Sequence, residues 1–211
     1  MNKLEFIYNR KSVRSYKADP VPMTDIEQII KAATYAPSGN NLQTWHFVVI
    51  RNQDKIAEIV QAVQQKNAQL SEFVAEDKRQ AFKAKVNYHT VFKSAPVLVL
   101  VYAGPYPSLA DDLEAAGIMN PEDITSYRRS NPAIQNIAAA MENLLLAAAA
   151  MGYGTCWMTG PTYAAEEISE IIGFNKPGYS LAAMTPLGVP TEGKYANPPR
   201  KPLAEVLTVI E

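Results

Sequence analysis

Cysteine and histidine are nearly missing from this chain: Cys156, His46 and His89 are the complete set in 211 residues. One thiol excludes a disulfide within the chain and any cysteine-based zinc or iron–sulfur site built from one copy. Neither histidine has a second His or a carboxylate at ligand spacing, so no metal site is expected. His46 falls in a predicted strand and reads as structural. Cys156 has no His or Lys near it in sequence and reads as a buried core thiol. Charge is scarce as well. Charged residues make up 19% of the chain and the net charge is −1. That balance gives no global basic field for nucleic acid or a membrane surface. The longest uninterrupted apolar run, Ala95 to Ala103, is far shorter than a bilayer span. Met1 to Glu5 carries no signal-peptide pattern. A cytoplasmic protein with neither nucleic acid nor membrane as partner is the expectation.

What is present is apolar surface and helical pattern. An apolar content of 47% supports a sizeable core, and one domain over residues 1–211 is expected. Thr24-Asp25-Ile26-Glu27 reads as a capping box opening a helix that carries Ile26, Ile29, Ile30 and Ala33, and Pro37 stops it. Trp45 to Ile50 predicts a strand. Asn52 predicts a cap for a helix with Ile56, Ile59, Val60 and Val63 on one face. Residues 67–93 read as helical and polar, with Leu70, Phe73, Phe82 and Val86 turned inward. Pro96 to Tyr102 does not alternate and predicts a strand buried on both faces. Asn131-Pro132 starts a long helix that Gly152 ends. Cys156-Trp157-Met158 predicts a short strand, Thr162 a cap for a helix ending at Gly173, and Ser180 to Leu187 the last strand. Strands and helices without regular βαβ alternation point to an α+β fold.

Two segments stand out chemically. Arg10-Lys11-Ser12-Val13-Arg14 places three cations and a hydroxyl in five residues. On a helix or turn, Arg10 and Arg14 would share a face. Such a set suits an anion, because Arg presents a planar fork that matches phosphate; alternatively these are solvated surface cations. Pro37-Ser38-Gly39-Asn40-Asn41-Leu42-Gln43 lies between a predicted helix and strand. A helix-to-strand turn needs fewer amide and hydroxyl side chains than this. A polar heterocycle would use them. Several familiar motifs lead nowhere. Gly152-Tyr153-Gly154 lacks the third Gly of a dinucleotide fingerprint and follows a helix rather than a strand. Neither Ser12 nor Ser38 sits in a nucleophile elbow, so hydrolase chemistry has little support.

These segments resemble the markers of the FMN-dependent nitroreductase family. The resemblance rests on Arg10-x-Ser12-x-Arg14 and on Pro37-Ser38-x-x-Asn41-x-Gln43-x-Trp45. The central stretch Glu142 to Trp157 and the closing Pro198-Pro199-Arg200-Lys201-Pro202 add to it. The four occur in the family's order and span nearly the whole chain. The resemblance implies a nitroreductase-like α+β fold: a mostly antiparallel central sheet flanked by helices, a long buried central helix, and an intertwined homodimer with FMN at the interface. A helix apolar nearly all round (Ile134, Ile137, Met141, Leu144, Leu145 and Ala148 with alanines between) also wants burial on all sides. A second subunit supplies that burial readily; a central helix in a monomeric core is the other reading.

The resemblance further implies residue roles. Arg10, Ser12 and Arg14 match the positions that hold the flavin phosphate and ring edge, and Arg200 the C-terminal phosphate contact, with Lys201 as a helper; Lys11 is a further cofactor-binding candidate. Pro37, Ser38, Gly39, Asn41 and Gln43 match the partner subunit's loop over the flavin. Thr159 and Gly160 fall where the family has backbone donors at flavin N5. Asn87 falls at the pyrimidine edge, with Thr90 where some relatives carry Lys. No catalytic side chain is implied, because the chemistry is centred on the flavin, with NAD(P)H as exchangeable reductant and a nitroaromatic or quinone as acceptor. Other implied outcomes are a protein that stores or senses FMN without turnover, and reductive dehalogenation or flavin fragmentation on the same scaffold. Residues 104–130 form a long insertion that reads as a lid. There Tyr106 and Tyr127 would stack on an aromatic acceptor and Arg128 or Arg129 would meet an anionic group, or all would simply cover the core.

Overall fold

The computed structural model describes residues 3–117, 120–193 and 198–211. Met1, Asn2 and residues 118 and 119 of the expected lid lie outside the described set. Among the described residues four strands, β1 Trp45–Ile50, β2 Val97–Ala103, β3 Gly154–Thr155 and β4 Ser180–Gly188, form an antiparallel sheet in the order β1-β2-β4-β3. The helices are α1 Glu5–Asn9, α2 Met23–Thr34, α3 Gln53–Ser71, α4 Glu76–Ala84, α5 Val86–His89, α6 Leu109–Ala116, α7 Pro121–Arg128, α8 Pro132–Ala150 and α9 Ala165–Ile171. This is an α+β architecture with an antiparallel sheet flanked by helices, as the sequence implied.

Central strand β2 is buried at every residue. Because successive side chains of a strand point to opposite faces, it feeds two cores. Val97, Val99 and Val101 join Ile26, Ile29 and Ala33 of α2 and Ile137, Met141, Leu144 and Leu145 of α8. Leu98, Leu100 and Tyr102 join Ile56, Ile59 and Val63 of α3 and Ile168 of α9. On the second face His46 packs against Phe174, ring centroids 5.1 Å apart, in the structural role expected of it. Residues 122–150 have the length and composition of a membrane-crossing helix. The buried face of α8 in the first cluster is nevertheless that of a core helix.

Several local expectations hold. Asn52 caps α3 through Lys55 N–H at 3.1 Å. Asn131, left-handed at φ 36°, caps α8 through Ile134 N–H at 3.3 Å, and Gly152 follows its end at φ 84°. Others are corrected. Thr24 does not cap α2, which starts at Met23 after Pro22 with no side-chain cap. Phe73 is 88% exposed, because α3 ends at Ser71 and the chain turns before α4. Thr162 sits inside a 3-10 turn, Gly160–Ala164, and donates to Thr159 C=O instead of capping α9. The short strand is Gly154–Thr155, and Met158 makes only an isolated bridge to Met184. The insertion is two helices, α6 and α7, which pack on each other and are tied by Arg128 to Glu114 and Asp111. Nor is α8 buried all round: Ile134 is 42% exposed, and Leu146 and Ala147 are half-buried beside an apolar cleft.

Leu144 is fully buried at the junction of α8 with β2 and α2. Leu144→Ala is expected to cost about 2–5 kcal/mol, from lost transfer free energy and the cavity left behind. Chemical denaturation followed by far-UV dichroism measures it.

Candidate functional site

Beyond α1 the chain is extended, and this sets the cationic segment. Ser12 forms a parallel bridge with Thr155, and Val13 N–H donates to Thr155 C=O at 2.8 Å. Val13 is buried against Gly154, where an added Cβ would lie 2.7 Å from the valine side chain. The glycine therefore permits the segment to dock on β3. Arg10 and Arg14 are not on one helical face, as the sequence suggested. They alternate with the buried Val13 on an extended segment, which brings Arg10, Ser12 and Arg14 to a common side.

Arg10 and Arg200, from opposite ends of the chain, line one cleft of about 370 Å³ with Ile7, Tyr8, Glu142 and Pro198. Glu142 stands 3.9 Å from Arg10 Nε, an ion pair too long for a hydrogen bond. Arg200 Nη1 donates to Pro198 C=O at 3.1 Å. Lys11 and Lys201 are exposed. The thiol of Cys156 lies beside Ser12 and Arg14. Burial pushes its pKa up, while Arg14 and Ser12 oppose that shift. Sequence reasoning missed this neighbourhood, because the pairing of residue 12 with residue 155 creates it.

Thr159 and Gly160 lead into the 3-10 turn Gly160–Ala164. The His89 imidazole rests on Gly160: an added Cβ there would lie 2.4 Å from His89 Nε2. His89 Nδ1 lies 3.3 Å from Tyr163 Oη, whose hydroxyl donates to Val63 C=O at 3.2 Å. Since that hydroxyl's proton is engaged, the neutral ring donates from Nδ1 and keeps a lone pair at Nε2. Burial, and then Lys85, lowers the His89 pKa and keeps the ring neutral at physiological pH. Asn87 is exposed on the same short helix, α5, which packs on this turn. The sequence places no mark on His89, since its contact with residue 160 is purely tertiary.

The loop of residues 37–43 is strained. Asn40, Asn41 and Gln43 have φ of 53°, 54° and 47°. Asn tolerates this region, whereas Gln does so at a cost of about 1–3 kcal/mol. Ser38 Oγ accepts from Gln43 N–H at 3.1 Å, and Gln43 Nε2 donates to Asn41 C=O at 3.4 Å. Gly39 N–H donates to Asn136 Oδ1 at 3.1 Å, a partner on α8 that the sequence did not reveal. Tyr106 packs on Gly39, where a Cβ would meet its hydroxyl at 2.3 Å. Tyr106 and Tyr127 then line one cleft of about 230 Å³ with Ser108, Asp111, Arg128 and Asn131. The Arg128 guanidinium there is already paired with Glu114 and Asp111.

The expected cations and the expected loop thus form two separate groups. Trp45, just after the loop, pairs with Ala103, which pairs with Ser180 at the start of β4. Thr155, beside Ser12, pairs with Leu187 near the end of β4 and on the other edge of the sheet. At about 3.4 Å per residue and 4.8 Å per strand, the two corners are more than about 20 Å apart. Within one protomer the loop and the cations do not meet.

Comparison with known proteins gives the class and the family. The family model described as "Nitroreductase family" matches residues 7–189. A BluB-like flavoprotein from Clostridium difficile 630 superposes with a TM-score of 0.91 at 39% identity, covering 100% of both chains. A nitroreductase with bound FMN from Bacteroides fragilis superposes at 0.71 with 25% identity, again over 100% of both. A putative NADH dehydrogenase/NAD(P)H nitroreductase from Archaeoglobus fulgidus is 27% identical over 90% of this chain and 87% of its own length. The chain belongs to the nitroreductase family, and it is an oxidoreductase of that family.

Gly160→Ala is expected to cost about 1–3 kcal/mol through overpacking against His89. The double variant Gly160→Ala/His89→Ala should recover part of that loss. Thermal denaturation of both single variants and the double variant reads the coupling, and purely additive effects would refute the contact.

Proposed function

We propose that the protein is an FMN-dependent oxidoreductase that takes hydride from NADH or NADPH and reduces a small acceptor such as a nitroaromatic or quinone. The observation that carries this reading is the convergence of Arg10 and Arg200 on one cleft. Two guanidinium groups there suit a phosphate monoester. The donor set fits the cofactor: Arg10, Arg14, Arg200, Lys11 and Lys201 supply charge, and Ser12 a hydroxyl. Gly160 supplies a backbone position without a side chain, and Asn87 an exposed amide. Bound there, FMN supplies a two-electron carrier that accepts and returns hydride at N5. The Thr159–Gly160 backbone would hold that edge of the ring, favouring the electron-rich state. The neutral His89 behind Gly160 keeps this segment in place. No acid or base side chain is required of the protein, since solvent can supply the protons.

The homodimer is part of the reading, and three observations support it. The loop of Pro37, Ser38, Gly39, Asn41 and Gln43 lies too far from the cations of its own chain to share a flavin with them. A second protomer brings a second loop. An apolar cleft of about 410 Å³ between α1, α2 and α8, lined by Phe6, Ala32, Tyr35, Leu146 and Ala147, is open in the single chain. Leu203, Val206, Leu207, Val209 and Ile210 of the closing segment are exposed, Ile210 at 93%. Apolar surface on this scale marks an interaction surface. The acceptor would enter between the flavin and Tyr106 and Tyr127 of the α6–α7 lid, over residues 104–130. Because Arg128 is neutralised by its own carboxylates, aromatic stacking rather than anion pairing would select it.

An anaerobic absorption spectrum before and after adding NADH, then NADPH, tests the function. Flavin bands that one nucleotide bleaches, and that a quinone or nitroaromatic restores, are expected. Bands that neither nucleotide bleaches would leave an FMN-binding protein without nicotinamide turnover, and no flavin uptake at all would overturn the assignment.

Arg10→Ala and Arg200→Ala should each weaken FMN binding by about tenfold or more, as about 1.5–3 kcal/mol is lost per charged hydrogen bond. The dimer should persist, since neither side chain lines the apolar cleft. Fluorescence titration and sedimentation check the two parts separately.

A further inference from the structure

Asn136 is a polar residue set among the apolar residues of α8. It is 5% exposed, and the chemistry above gives it no part. Both ends of its amide are used. Oδ1 accepts from Gly39 N–H at 3.1 Å, and Nδ2 donates to Thr44 Oγ1 at 3.2 Å. Gly39 and Thr44 flank Asn40, Asn41 and Gln43, the three left-handed residues of the loop. Gln43 is unfavourable there by about 1–3 kcal/mol, and three such residues in one loop persist only where the surroundings over-determine them. The bonds from Ser38 to Gln43 and from Gln43 to Asn41 lie within the loop and cannot anchor it to the body. The Asn136 amide does anchor it, and does so from inside the core, where an unmade hydrogen bond is costly.

The same anchor reaches the lid. Thr44 is 5% exposed, and its C=O accepts from Gly104 N–H at 2.6 Å. Two residues further on, Tyr106 lays its hydroxyl against Gly39. Gly39 is thus held by the amide on one side and covered by the tyrosine on the other. A shift of the loop must move both.

We propose that Asn136 is a positioning residue that fixes the loop of residues 37–43 from the helix core and couples that loop to Tyr106, so that cofactor grip and acceptor fit change together. The proposal rests on the reading that this loop faces the flavin of the partner protomer. Asn136→Leu removes both bonds while keeping volume, and Thr44→Val removes one. FMN Kd and acceptor KM are measured in the intact holoenzyme for the wild type, both variants, Tyr106→Phe, and the double variant Asn136→Leu/Tyr106→Phe. Asn136→Leu should raise Kd about tenfold and raise KM with it, and Thr44→Val should shift both less in the same direction. In the double variant the two KM effects should fail to multiply, by about fivefold. A merely structural asparagine would lower the melting temperature and leave Kd and that coupling unmoved.

Hydrogen exchange of residues 38–44 separates this proposal from the functional reading. Exchange at Gly39 should accelerate in Asn136→Leu and, less, in Thr44→Val, which also decides the matter if the leucine variant does not fold. Unchanged exchange, or unchanged Kd and KM in a wild type that binds FMN, overturns the positioning role. A wild type that takes up no FMN overturns the functional reading instead, while the exchange result still decides whether Asn136 holds the loop.

Discussion

Everything in this molecule depends on a strand that is wet on neither face. β2 is buried at each of its residues from Val97 to Ala103. A strand of that kind needs a strand on each edge and a helical layer on each side. β1 and β4 supply the edges, α2 and α8 one layer, and α3 and α9 the other. The order β1-β2-β4-β3 follows. With it, the loop entering β1 and the segment leaving β3 are carried to opposite edges of the sheet.

That separation governs the chemistry. One protomer carries a cationic half, with Arg10, Ser12, Arg14 and Arg200 near β3, and an amide-rich half, with Ser38, Asn41 and Gln43 near the start of β1. Neither half is strained or buried without reason. The extended docking of Ser12 and Val13 needs the bare backbone of Gly154, and the turn at Gly160 needs room for His89. The amide-rich loop is held in left-handed geometry that is unfavourable on its own. Such strain is found where a fixed shape matters more than local stability.

Much of the fold was legible in the sequence, since it rests on local signals. The unbroken apolar run at β2, the helical spacing of Ile26, Ile29 and Ala33, the Asn52 and Asn131 caps and the Gly152 stop all act within a few residues. Where local signals competed, the reading slipped. Thr24 offered a capping box, but Pro22 set the helix start two residues earlier. Phe73 fitted an inward helical face, but α3 ended before it. Arg10 and Arg14 had helical spacing, but pairing with β3 drew that segment out straight. Of the candidate site, the residue types were legible. Their grouping into two halves was not.

The sequence by itself determined the fold class, the family, and the supply of cations and amides, because propensity, periodicity and motif order are properties of neighbouring residues. Only the tertiary structure decided that Cys156 lies beside Arg14, that His89 rests on Gly160, that Arg10 and Arg200 line one cleft, and that Asn136 holds Gly39 and Thr44. Each of these pairs is distant along the chain. Strand pairing and core packing bring them together, and no local preference encodes either.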